Sequence, residues 1–97
     1  MARYITLISF SEQGMKTIKD WDKRIAATRE RLDRAGGKLI DVYLTLGEFD
    51  AVAITEAPND EAALRAAIEY GLSGNGRSRT MRAFTSEETI RIVKQLG

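Results

Sequence analysis

The pattern strand–helix–strand occurs twice in this chain, in halves of about 48 residues each, and a doubled unit of that kind has few ways to close. In the first half, "RYITLISF" (3–10) is rich in β-branched and aromatic residues, which fit a pleated surface. A long amphipathic stretch follows. Ile18, Ile25 and Leu32 lie seven apart, with Met15, Trp21 and Ala35 filling the same stripe, which is helical spacing. Gly36-Gly37 stops it, glycine being the usual residue just past a helix end. "KLIDVYLTL" (38–46) then alternates, setting Ile40, Val42, Leu44 and Leu46 against Leu39, Asp41, Tyr43 and Thr45. A single helix from Ser11 to Ala35 would be about 37 Å long, against about 25 Å for the strands it crosses. A break near Asp20-Trp21 is therefore expected, with Asp20 capping the second segment and Trp21 covering the joint.

In the second half, "DAVAITEA" (50–57) sets Val52 and Ile54 against Ala51, Ala53 and Thr55. Pro58-Asn59-Asp60-Glu61 reads as a helix start, with Asn59 as N-cap and acids in the first turn. Leu64, Ala67, Ile68 and Leu72 give the stripe expected to be buried. "GNG" (74–76) ends that helix, and "RSRTMRAFT" (77–85) is a more polar strand. Thr85 followed by Glu88 is a capping-box pattern opening a short last helix to Leu96. Right-handed crossovers turn this order into a ferredoxin-like α+β fold, βαββαβ with a C-terminal helix. The sheet is four-stranded and antiparallel with both main helices on one face, and residues 1–97 form a single domain.

The face away from the helices should alternate cleanly to polar residues if water covers it. It does not. The second strand puts Leu39 and Tyr43 there, the third Ala51 and Ala53, and either face of the first strand is largely apolar. A second copy packed over that face by two-fold symmetry is the simplest cover, so a homo-oligomer built from dimers is expected, with a partly polar cavity between the paired sheets.

Composition narrows the chemistry. There is no cysteine and no histidine, so thiolate nucleophiles, zinc–thiolate sites, imidazole bases and histidine-ligated haem are excluded. Catalysis would have to use carboxylates, lysine, tyrosine, hydroxyls or backbone dipoles, and no cofactor and no metal are expected. The net charge of +1 gives no bulk attraction to nucleic acid or membrane. No apolar run approaches a membrane span, and the N-terminus carries no signal sequence, so a cytoplasmic protein is expected. RNA recognition on this fold needs stacking aromatics on the central strands, where the third strand offers alanines. "GNGRSR" follows a helix and precedes a strand, the reverse of a dinucleotide loop. Arg77, Arg79 and Arg82 read as a solvated or salt-bridged edge.

"YLTLGEFDAVAITEAPNDEAA", with "SEQG" after the first strand and "GNGRSRTMRAFTSEE" near the end, resembles the GYD domain family, named for a Gly-x-Tyr-Asp turn. The resemblance spans nearly the whole chain and implies a ferredoxin-like fold of the dimeric α/β-barrel kind. It implies no reaction. The motif tyrosine is Phe49 here, so a phenol at that position is lacking.

Two groups of residues are candidates for a site. In the turn, Gly47 would supply a positive φ, Phe49 would cover the end of the core and Asp50 would accept loop N–H bonds. Held that way, Phe49 and Asp50 would also stand at a pocket mouth. On the second strand, Asp41 and Tyr43 point the same way. They are either an acid–phenol pair in a cavity or interface packing with the hydroxyl at the rim. Three functions fit: an oligomeric small-molecule-binding or regulatory module, a cofactor-free dimeric-barrel enzyme of oxygenase or isomerase type using Asp41, Asp50 or Tyr43, or a purely structural assembly domain.

Overall fold

The computed structural model describes all residues, Met1–Gly97. Strand β1 (Ala2–Phe10) leads into a short helix α1 (Glu12–Lys16), a 3-10 turn (Ile18–Asp20) and the main helix α2 (Trp21–Arg34). Strands β2 (Lys38–Leu44) and β3 (Ala51–Ala57), helix α3 (Asp60–Leu72), strand β4 (Gly76–Ala83) and helix α4 (Ser86–Lys94) complete the chain. The four strands pair antiparallel in the order β2-β3-β1-β4, the ferredoxin-like arrangement expected from the doubled unit.

The break in the first helical stretch is real, and its chemistry differs from expectation. Thr17 ends α1, its hydroxyl donating to the Gln13 carbonyl at 3.0 Å. Asp20 occupies the N-cap position of α2 but its side chain makes no capping bond. Trp21 does cover the joint, lying edge-on to Phe10 with centroids 5.8 Å apart. The other caps follow the sequence. Asn59 accepts from the Ala62 N–H at 2.9 Å, and Thr85 and Glu88 form the reciprocal capping box of α4. Glu12–Lys16, Glu30–Arg34 and Glu87–Arg91 are exposed ion pairs one helical turn apart.

The sheet faces are assigned differently from strict alternation in β2. Leu39 pairs with Thr55 and Asp41 with Ile54, so Ile40 is an extra residue, a β-bulge. Because side chains alternate with period two, one extra residue reverses the parity of everything beyond it. Leu39 therefore faces the helices, while Asp41 and Tyr43 face away. Ala51 and Ala53 likewise lie in the core, not on the open face. The buried cluster is Ile8, Leu32, Leu39, Ala51 and Ala53. On β1, Tyr4 and Ile8 are buried on the helix side, leaving Ile5 and Leu7 on the open face, where they pair with Ile54 and Val52.

Helix α3 also turns a different side to the sheet. Leu64, Ile68 and Leu72 are 60%, 53% and 81% exposed, whereas Ala62, Ala63, Ala66, Ala67 and Tyr70 look inward. A helix lying close over a sheet has room for methyl groups beneath it, and the larger side chains are turned out. In the first helical stretch Met15 is exposed as well. Only nine of the 97 residues are buried, and Phe10, Trp21, Ile25, Val42, Ala66 and Tyr70 pack part-buried against the core cluster. Helix α4 follows β4 in the chain, and its Ile90 and Val93 are half exposed.

Candidate functional site

The loop 45–50 joins β2 to β3 and is fixed from both ends. The Thr45 N–H donates to the Asp50 carbonyl at 2.9 Å, and the Thr45 hydroxyl donates to the Phe49 carbonyl at 2.6 Å. Gly47 has φ +104°, a conformation that side-chain-bearing residues rarely adopt. Asp50 reaches out of the loop. Its carboxylate accepts from the Phe10 backbone N–H at 2.8 Å, and its own N–H donates to the Ile8 carbonyl at 2.8 Å. The Phe49 ring does not close the core. It is half-buried beneath the Arg79 guanidinium, 5.9 Å from its centroid.

Asp41 and Tyr43 come together on the open face of the sheet. The Tyr43 phenol donates to Asp41, which also accepts from the Val42 N–H at 3.0 Å. That hydrogen bond to a carboxylate, reinforced by its negative charge, pushes the Tyr43 pKa up. At neutral pH Tyr43 is thus a protonated donor and not a base. Around the pair lies an apolar patch of Ile5, Leu7, Val52, Ile54 and Met81, rimmed by Arg79 and by the cross-strand Arg3–Glu56 pair at 3.3 Å. The structure brings Phe49 to the Arg79 edge of this face. It separates Asp50 from Asp41 and Tyr43.

Asp50 instead neighbours a cluster that residue patterns did not single out. Arg24 of α2 lies over the Phe10 ring at 5.0 Å and the Trp21 ring at 5.1 Å, and donates to the Gly14 carbonyl at 2.8 Å. Gly14 packs so tightly that a Cβ there would stand 1.9 Å from the Asn75 carbonyl oxygen. Tyr70 of α3 completes the group, its hydroxyl 3.0 Å from where a Cβ of Gly76 would be. Burial pushes the Tyr70 phenol up, the Arg24 charge and its approach oppose this, and the Asp50 carboxylate adds a smaller upward push. Although Arg24 is near enough to act on Tyr70, neither its Nη2 nor the Tyr70 hydroxyl completes a hydrogen bond, and both atoms are buried. The spacing of Trp21 and Arg24, one turn apart, is the only signal in the sequence that could have found this cluster.

No group of three or more acidic side chains is placed to hold a metal, and no helix is long and apolar enough to cross a membrane.

The fold is similar to that of several solved structures. MtbAldR superposes with a TM-score of 0.69 at 13% identity over 88% of this chain, which spans 52% of that longer chain. FFRP-DM1 gives 0.63 at 15% identity, covering 87% of this chain and all of that one. TTHA0845 from Thermus thermophilus gives 0.55 at 22% identity, over 89% and 96%. In sequence, the chain is 25% identical over 95 residues to the glutamine synthetase and cystathionine beta-lyase binding protein of Thermus thermophilus, covering 97% of this chain and the whole of that one. The family model described as the GYD domain matches residues 4–93, and with four-fifths of its length and more accounted for in this way the chain belongs to the GYD domain family.

Proposed function

We propose that this protein is a homo-oligomeric binding module that pairs with a second copy through its open sheet face and acts by binding rather than by turnover. The apolar patch centred on Ile5, Leu7, Val52 and Ile54 carries this reading, because no element of the chain covers it. Its composition is that of a partner surface, with an apolar centre and a charged rim at Arg79, Arg3 and Glu56. A face of this kind is self-complementary about a two-fold axis, and a stable pair would bury on the order of 800 Å² per copy. The Tyr43–Asp41 pair beside the patch supplies a polar donor and acceptor at the seam, which favours a small molecule held between the paired sheets. The name of the Thermus relative, a protein that binds two enzymes, supports a regulatory role exercised through protein contacts.

Sedimentation equilibrium at micromolar concentration is expected to give a dimer or a multiple of it. Ile54→Arg and Tyr43→Arg are expected to weaken the pair by about 2–5 kcal/mol by burying an unpartnered charge. A wild-type protein that sediments as a monomer overturns the reading.

A further inference from the structure

Helix α2 stands over β2 and α3 over β4, at opposite edges of the sheet, and the two helices scarcely touch each other. Beneath the gap between them is a cavity of about 140 Å³. Its walls are mainly methyl and aliphatic groups, among them Ile8, Ala53, Ile25, Leu32, Ala63 and Ala66. The Thr6 and Thr80 hydroxyls that line it are bonded to each other at 3.0 Å. Arg31 of α2 and Glu69 of α3 line the same space and are both partly exposed, so they mark its opening, where they face each other at 4.0 Å. Arg24 Nη2 and the Tyr70 hydroxyl have no accessible surface to offer an occupant. Space of this kind under a helix layer is normally filled by side chains. Helix α3 carries three that are large enough, Leu64, Ile68 and Leu72, and turns all of them outward.

We propose that this cavity is a binding site for a compact, uncharged apolar molecule about the size of a single aromatic ring. Volume and chemistry select that occupant. An apolar cavity of about 150 Å³ holds benzene, whereas a helix, about 10–12 Å across with its side chains, is too large. An extended peptide is held by free backbone donors and acceptors, and those of the floor strands β1 and β3 are spent on their neighbours in the sheet. An apolar occupant asks for no polar partner, and it restores to the lining the dispersion contacts that an open space forfeits. The site lies on the opposite side of the sheet from the Asp41–Tyr43 pair, and its occupancy does not depend on pairing through the open face.

Benzene and benzoate, one ring without and with a charge, test the proposal by methyl NMR titration of the full chain. Benzene is expected to bind saturably, one per chain, and to shift the Ala53 and Ala66 methyl signals more than those of Val52 and Ile54. Benzoate is expected to bind about tenfold more weakly or worse, because these walls offer its charge no partner. Ala66→Leu and Ala63→Val each put methyl groups into the cavity, and either one, with its native methyl spectrum kept, is expected to weaken benzene by about tenfold or more. Where neither variant folds, the titrations of the wild-type protein decide alone. Shifts that do not saturate up to the solubility of benzene overturn the proposal. So do shifts confined to Val52 and Ile54, equal or tighter binding of benzoate, or unchanged benzene binding in a folded variant.

Discussion

Asp50 holds the end of β1 twice, its carboxylate taking the Phe10 N–H while its own N–H gives to the Ile8 carbonyl. The pair works as an extra rung beyond the last pairing of β1 with β3, Ile8 with Ala51. In doing so it sets where Phe10 stands, and Phe10 in turn packs on Trp21 and Arg24. The loop aspartate thus positions one end of the helix–sheet cavity from two contacts away.

Asp50→Asn is expected to lower stability by about 1.5–3 kcal/mol, because a charge-assisted bond to a backbone N–H becomes a neutral one or is lost. Gly47→Ala is expected to cost about 1 kcal/mol or more from its positive φ alone, since a Cβ there meets nothing within 4 Å. Phe49→Ala is expected to cost less than a core aromatic, about 1 kcal/mol, because its ring lies against Arg79. Urea denaturation of the three variants checks the order.

The outward side of α3 gives a sharper contrast. Leu64→Gln and Leu72→Gln are expected to change the unfolding free energy of the isolated chain by no more than about 0.5 kcal/mol. Leu32→Ala in the buried cluster is expected to remove about 2–5 kcal/mol. A large loss in the α3 variants at concentrations where the protein is monomeric would contradict this orientation of the helix.

Gly14 allows the closest backbone approach outside the sheet. Gly14→Ala is expected to destabilise by about 3 kcal/mol, because its methyl must displace the Asn75 carbonyl rather than a pliant side chain. Thermal unfolding reads the effect.

All three tyrosines of the chain have raised pKa values. For Tyr4 the cause is chiefly its hydrogen bond to Asp60, then burial; for Tyr43 it is the bond to Asp41; for Tyr70 it is burial. The folded state therefore holds these protons more tightly than the unfolded state. The stability they contribute is complete below the unfolded value of 10.0 and is lost as pH climbs through the higher folded values. Ultraviolet difference titration is expected to show every phenol of the native protein titrating with its midpoint above 10.0, with the ordinary midpoint restored in urea. A native phenol titrating normally would contradict these placements.

The order of elements, the caps at Asn59 and Thr85 and the break before Trp21 were legible because each depends on a few neighbouring residues; the cap expected of Asp20 did not form. The sheet faces were legible only where alternation is unbroken. At Ile40 one unmarked residue reverses the parity of β2, and nothing in "KLIDVYL" distinguishes a bulge from a regular strand. Helix α3 offers two stripes at helical spacing, one of leucine and isoleucine and one of alanine. Choosing between them requires knowing how little space the sheet leaves. Arg24 and Tyr70 stand 46 positions apart, and only the crossing of two helices over the sheet brings them to one cavity.

The bulge at Ile40 has a consequence for chain length. With Ile40 deleted, Leu39 would be followed directly by Asp41, Val42 and Tyr43, an unbroken in–out–in–out series that matches the pairing with Thr55, Ile54, Ala53 and Val52 already present. The strand thus carries one residue that its hydrogen-bonded ladder can spare. What that residue supplies is local twist at the sheet's edge, so relatives shorter by one at this point would keep every side chain on its present side and differ in the curvature of the open face.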